Sequence, residues 1–204
     1  MRADDLDQVL AEARACRHCE GALPLGPRPV LRAAASARLL IVGQAPGTRV
    51  HATGIPWNDA SGDRLRLWLG LERDVFYDER RVAIVPMGLC YPGRDAGGGD
   101  KPPRRECAPL WHGRIVAALP NLQLTLLVGR YAQVRYLPAG GATSVTEAVR
   151  DWRAHGPRLW PLPHPSWRTI GWQRRHPWFE AELLPELRAR VRALLTDADP
   201  YAVD

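Results

Sequence analysis

No run of about 18 consecutive apolar residues occurs in the 204-residue chain, so the pattern of a membrane-spanning helix is missing. Lysine is almost missing too: Lys101 is the only one, and the formal net charge of +6 is carried by arginine. Arginine pairs phosphate through a planar fork and stacks on bases, so this bias suits a nucleic-acid surface. A GC-rich genome that encodes arginine readily would give the same bias. Cysteine is limited to four residues, which in a reducing compartment point to a metal before disulfides. The opening MRADDLDQVL is acidic and amphipathic, unlike a secretory leader, and the expected location is the cytoplasm. Internal repeats and composition shifts are missing as well. Residues 1–195 therefore read as one domain and 196–204 as a polar tail.

Hydrophobic residues, by contrast, make up 46% of the chain, enough for a sizeable core and too many for global disorder. Four short apolar runs read as buried strands: 38–43, 82–85, 122–128 and 159–162. Between them lie helical patterns. Residues 4–15 place Leu6, Val9, Leu10 and Ala13 on one face. A helix over 61–69 is expected with Ser61 as its N-cap and Gly70 as its stop. Residues 104–119 are expected to be helical in their middle, Gly129 opens a further helix, and 178–195 form a long closing one. Residues 22–29 and 93–103 (GRDAGGGDKPP) read as loops, the second a flexible one. Strands alternating with helices predict a parallel sheet covered on both faces, with ligands bound beyond the carboxyl ends of its strands.

The residues that carry chemistry fall at those ends. Gly43–Gln44–Ala45–Pro46–Gly47 follows the first strand, Pro86–Met87–Gly88–Leu89–Cys90 the second, and Pro163–His164–Pro165–Ser166 the fourth. Glycines in the first turn let backbone approach a ligand closely. Cys16 and Cys19 form a C-x-x-C pair, while Cys90 and Cys107 come much later, a separation unlike that of a local zinc finger. Four thiolates suit either a [4Fe–4S] cluster or a tetrahedral zinc.

Taken together, these motifs resemble the uracil-DNA glycosylase superfamily. The cysteine order and spacing are similar to its iron–sulfur family 4, and other features resemble family 5. The resemblance implies a three-layer α/β/α sandwich around a central, mostly parallel four-stranded sheet. It implies a [4Fe–4S] cluster on Cys16, Cys19, Cys90 and Cys107, with structural zinc as the alternative. It also implies base excision from DNA: the enzyme flips a uracil out of the helix and hydrolyses its glycosidic bond, leaving an abasic site. Thr53–Gly–Ile–Pro–Trp57 is similar to the family's Thr-Gly-x-x-aromatic, which makes Trp57 the ring stacked on the flipped base. His164 of His-Pro-Ser would donate to the uracil O2 as negative charge builds there. The backbone amides of Gln44 and Ala45 would face a base carbonyl, with Gly43, Met87 and Gly88 forming the rest of the pocket. Trp167 would be the wedge that fills the gap in the helix, and Ser166, Arg168, Arg174 and Arg175 would hold phosphates.

The chain departs from the family pattern at two places. Gln44 stands where a carboxylate is common, and Pro86 where many members hold an Asn that reads the uracil edge. Trp57–Asn58–Asp59–Ala60–Ser61–Gly62–Asp63 resembles the family 5 pattern, which makes Asp59 the expected catalytic carboxylate, Asp63 the second choice, and Asn58 a helper in placing the water. The missing Asn leaves hypoxanthine and xanthine open as substrates. The missing carboxylate leaves open a module that binds uracil or abasic DNA without cutting. No lyase step is expected, since Lys101 lies in the 93–103 loop. One lesion is read at a time, and a monomer is expected.

Overall fold

Each apolar run becomes a strand: β1 (Leu39–Val42), β2 (Val82–Ile84), β3 (Leu124–Val128) and β4 (Leu159–Leu162). The computed structural model, which describes residues 5–138 and 144–196, joins them into one sheet of order β2-β1-β3-β4. Every described strand pair is parallel, with Leu39 opposite both Val82 and Leu124, and Val128 opposite Leu162. Parallel strands must be buried on both faces, which is why these runs are continuously apolar rather than alternating.

Alternate residues of β1 supply two separate cores. Leu39 and Ile41 face one core together with Leu126 and Leu162, covered by α3 (Ala60–Leu69), α7 (Val145–Arg150), α8 (Trp152–His155) and α10 (Leu184–Thr196). Leu40 and Val42 face the other, covered by α1 (Leu6–Arg14), α5 (Cys107–Ala117) and α6 (Arg130–Tyr136). The fold is therefore the expected three-layer α/β/α sandwich. Among the described residues no helix is long and apolar enough to cross a membrane.

Several boundaries differ from the sequence expectation. The cap of α3 lies two residues earlier than expected, because the Asp59 carboxylate, not the Ser61 hydroxyl, accepts the capping N–H from Gly62 at 2.9 Å. Gly70 ends α3 in the left-handed conformation, as read from sequence. α5 starts at Cys107, not Arg104. Pro109 thereby falls in its first turn, where a missing N–H leaves no helical hydrogen bond unmade. The closing helix is two segments: a π-helical turn, Phe179–Leu183, precedes α10 and drives both Phe179 and Leu183 fully into the core. α2 (Thr48–Thr53), α4 (Arg73–Tyr77) and α9 (Thr169–Arg175) were not expected; like α7 and α8 they are too short to display a helical period.

The glycine-rich loop after β2 is also more built than its composition implies. Arg94 and Asp100 form an antiparallel bridge, the Lys101 N–H donates to the Gly93 carbonyl at 2.9 Å, and the Asp95 N–H donates to Gly99 at 2.8 Å. Thr196 ends α10, so of the expected tail only 197–204 remain, and they lie outside the described residues, as does the expected helix start at Asp4.

Candidate active site

A parallel sheet opens all of its strand-to-helix turns on one edge, and here those turns enclose a pocket of about 600 Å³. The turn after β1 contributes Gly43, Gln44 and Ala45. The segment leading into α3 contributes Trp57 and Asp59. The turn after β4 contributes His164, Ser166 and Arg168. The Trp57 and His164 rings face each other with centroids 5.7 Å apart and planes inclined by 34°. Gln44, Trp57 and His164, drawn from three separate loops, thus share one cavity.

Trp57 is held by an unusual backbone. Among the described residues it is the one non-glycine with positive φ, at 55°. A left-handed bulky residue costs about 1–3 kcal/mol and persists only where its neighbours insist on it. Three neighbours do. The Tyr77 hydroxyl donates to the Trp57 carbonyl at 3.1 Å. Gly62 lies so close that a Cβ there would stand 1.7 Å from that carbonyl oxygen. The indole packs flush on Gly43, where a Cβ would stand 2.8 Å from the ring. Tyr77 is itself surrounded by guanidinium groups, with Arg73 4.9 Å and Arg32 5.6 Å from its ring. Burial nonetheless raises its hydroxyl pKa, which keeps the donor proton in place. Thr53 and Gly54 end α2 and turn the chain toward Trp57.

His164 sits on a stiff turn between two prolines. Its carbonyl accepts from the Ser166 N–H at 2.8 Å and from the Thr169 hydroxyl. Arg64 of α3, not anticipated from sequence, reaches across to the Ser166 carbonyl and ties the turn to the Trp57 side of the pocket. Burial lowers the His164 pKa from its ordinary value, while the charges of Asp59 and Asp100 pull the other way. The imidazole is therefore neutral at pH 7, able to donate one hydrogen bond without carrying a buried charge.

The carboxylates divide. Asp59 lines the pocket, with one oxygen occupied as the cap of α3. Asp63 turns outward and pairs with Arg66. Asn58 accepts from Arg73 at 3.2 Å and is not on the pocket wall. Asp100 lines the pocket as well and carries no sequence motif that would have singled it out.

Met87 and Gly88 do not reach the pocket wall. Met87 is buried beneath it and its N–H donates to the Gly43 carbonyl at 3.0 Å; the Gly88 N–H donates to the Gln44 carbonyl at 2.9 Å. They brace the β1 turn from behind. Both carbonyls are thereby turned away, and the Gln44 and Ala45 N–H groups have no protein partner among the described residues. Pro86 does line the pocket, but its carbonyl accepts from His112 Nε2 at 2.8 Å, and His112 Nδ1 accepts from the Tyr136 hydroxyl at 2.8 Å. Readout through the Pro86 carbonyl is therefore closed off. Burial lowers the His112 pKa and keeps it neutral, which fits this relay. His51 lies in α2, its ring 6.0 Å from that of buried Tyr91 and off the pocket wall.

Outside the pocket mouth, Trp167 projects with 71% of its surface exposed and Arg168 lies over its ring at 5.0 Å. Arg174 and Arg175 occupy the exposed last turn of α9.

The four cysteines converge at a separate place. Cys16, Cys19, Cys90 and Cys107 line one small cavity with Gly88, Arg104 and Trp111. The Leu89 N–H donates to Cys107 Sγ at 3.2 Å. Burial pushes the Cys90 thiol up to about 11 and that of Cys107 up to about 12. Among the described residues no group of three or more His, Cys, Asp or Glu is arranged to hold a single metal ion.

A family model described as the uracil DNA glycosylase superfamily matches residues 31–188. That span runs from just before β1 into α10. It covers the turns bearing Gln44, Trp57, Asp59 and His164, together with Cys90 and Cys107, and begins after Cys16 and Cys19.

Two outcomes follow from this geometry. Gly62→Ala forces the Trp57 carbonyl off Tyr77 and lowers stability by about 1–3 kcal/mol. Tyr77→Phe, which removes only the donor, costs about 1 kcal/mol. Urea midpoints of the two variants check both values and their order. His112 and His164 have pKa values depressed by burial, so the folded state resists a proton that the unfolded chain takes up near the ordinary 6.5. Their contribution is complete above pH 6.5 and is lost as pH falls through the folded values, a decline that thermal midpoints recorded at stepped pH will display.

Proposed function

The chain belongs to the uracil DNA glycosylase superfamily, whose members are DNA glycosylases, and we propose on that basis that it excises uracil from DNA as a monofunctional enzyme. The observation that carries this reading is the Trp57–His164 pair: an aromatic face and a neutral hydrogen-bond donor with ring centroids 5.7 Å apart, both on the wall of one pocket large enough to admit a nucleobase. An extruded base loses its stacking neighbours, and the Trp57 indole replaces one of them, worth about 1–3 kcal/mol. As the glycosidic bond breaks, its electron pair goes to the base and charge accumulates on O2. The His164 N–H, held on its two-proline turn, strengthens its hydrogen bond as that charge grows. The free amides of Gln44 and Ala45 donate to a base carbonyl from the opposite loop. Asp59, on the pocket wall, is the carboxylate that faces the sugar, where positive charge develops. Trp167 fills the vacated stack, while Ser166, Arg168, Arg174 and Arg175 meet the phosphates. The protein acts as a cytoplasmic monomer, one pocket per lesion.

A second reading has its own observation. Pro86 offers the base no N–H, and its carbonyl is taken by His112. The wall that a uracil-specific reader would use for edge contacts is therefore blank, which favours a broader range of deaminated bases, hypoxanthine and xanthine among them.

For the cysteine cavity we propose a [4Fe–4S] cluster, a reading supported by the convergence of four thiol donors. Four thiols from an N-terminal arm, the loop after β2 and the start of α5 line one space, and buried thiols such as Cys90 and Cys107 ionise only against compensating positive charge, which iron would supply. Cys16, Cys19, Cys90 and Cys107 would hold the cluster, and its contribution is to staple the N-terminal arm to the loop behind the pocket. Zinc remains the alternative occupant of the same thiols.

Incubation with single- and double-stranded oligonucleotides bearing uracil, hypoxanthine or xanthine, followed by alkaline cleavage at abasic sites, tests the activity. Uracil excision is expected, and His164→Ala should slow it about 100-fold or more. Binding without any excised base would leave only a lesion-binding module. The purified protein should absorb near 400 nm and lose the band in Cys107→Ala, about as expected of a thiolate-bound iron–sulfur centre; a colourless, zinc-loaded protein would overturn the cluster.

A further inference from the structure

We infer that Asp100 is a second catalytic carboxylate of this pocket, the group that takes the proton from the water attacking the sugar. The inference rests on the glycosylase reading above and adds to it a residue on which no motif bears.

Four observations carry it. First, Asp100 lines the same cavity as Trp57, Asp59 and His164, although it comes from the loop after β2. Its Oδ2 reaches the β1 turn, lying 3.5 Å from where a Cβ on Gly47 would stand. Second, among the described residues the carboxylate has no hydrogen bond or close ion pair; Arg94 and His164 act on it only at longer range. Every other acid nearby is committed. Asp59 caps α3, Asp63 pairs with Arg66, and Asp95 accepts from the Gly99 N–H at 2.9 Å. Third, the loop that delivers it is held. The Arg94–Asp100 bridge and the Lys101–Gly93 hydrogen bond close its base, and Pro103 packs against Gly88, where a Cβ would stand 2.9 Å from the proline side chain. Fourth, the charged and titratable groups facing Asp100 are Arg94, Asp59, His164 and Asp95. Crowding at the pocket lip raises its pKa from the ordinary value even though the side chain keeps contact with solvent, and Asp59 and Asp95 add to that rise while Arg94 and His164 oppose it. A carboxylate so raised is a better proton acceptor than one in bulk water.

The two acids then have different tasks. The C1′–N1 bond breaks and its electrons leave with the base. Asp59, fixed at the N-terminus of α3, faces the developing cation. Water supplies the new C1′–O bond and gives its proton to Asp100, which returns it to the departed base anion, so no cofactor or further reactant is consumed.

The test is single-turnover excision by the full chain with Asp100→Asn and Asp100→Glu, alongside binding to a duplex whose scissile nucleotide is 2′-fluorinated and resists cleavage. Asp100→Asn should slow excision about 100-fold while binding stays within about twofold, and the acid limb of the wild-type rate–pH profile should vanish. Asp100→Glu should recover part of the rate with a displaced limb. An Asp100→Asn rate within about threefold of an active wild type, or a parallel loss of binding, would overturn this inference and leave the glycosylase reading standing. A wild type that excises none of the three bases overturns both. Thermal midpoints close to wild type for the two variants exclude unfolding as the cause of a lost rate.

Discussion

The left-handed backbone at Trp57 is the constraint on which the pocket depends. An indole following a short helix and leading into another would ordinarily turn to the core or to solvent. Here the Tyr77 hydroxyl and the bare α-carbon of Gly62 hold the carbonyl on one side, and the bare α-carbon of Gly43 receives the ring on the other. Glycine is required at both positions because the contact is with backbone and ring atoms that cannot move aside. The stored strain is local, and the burial of Leu65, Trp68 and Phe76 around it stabilises the segment that carries it.

From that point the pocket is assembled by contacts between loops that are far apart in the chain. Arg64 binds the His164 turn to α3 across 102 residues, and His112 binds α5 to the end of β2 across 26. α5 has a further part: it opens at Cys107, on the cysteine cavity, and five residues later presents His112 to Pro86, on the pocket. One segment therefore links the two: Pro86 lines the pocket, and Gly88, Leu89 and Cys90 line the cysteine cavity.

How much of this was legible in the sequence follows from the range of each interaction. The strands were legible because burial on both faces demands unbroken apolar runs, and all four appear within two residues of expectation. The meeting of Gln44, Trp57 and His164 was legible because parallel topology sends every such turn to one edge. Asp100 was not, since a glycine-rich stretch has no period and nothing local distinguishes one loop acid from another. Met87 and Gly88 were misplaced for a related reason: residues after a buried strand can face the ligand or support the turn beside it, and only the hydrogen bonds to Gly43 and Gln44 decide. Tyr77, Arg64 and His112 act through single bonds to distant carbonyls, which leave no trace in spacing.

The inward-facing carbonyl of Pro86 leaves the pocket asymmetric. On the proposed reading, one wall discriminates by shape alone, and the polar contacts beyond that of His164 fall to main-chain amides on the opposite side. Groups of the main chain are the same whatever side chain they bear. A recognition surface of this kind offers single substitutions little purchase, so base choice in this scaffold should drift slowly, changing through movements of whole loops rather than through exchanges of individual residues.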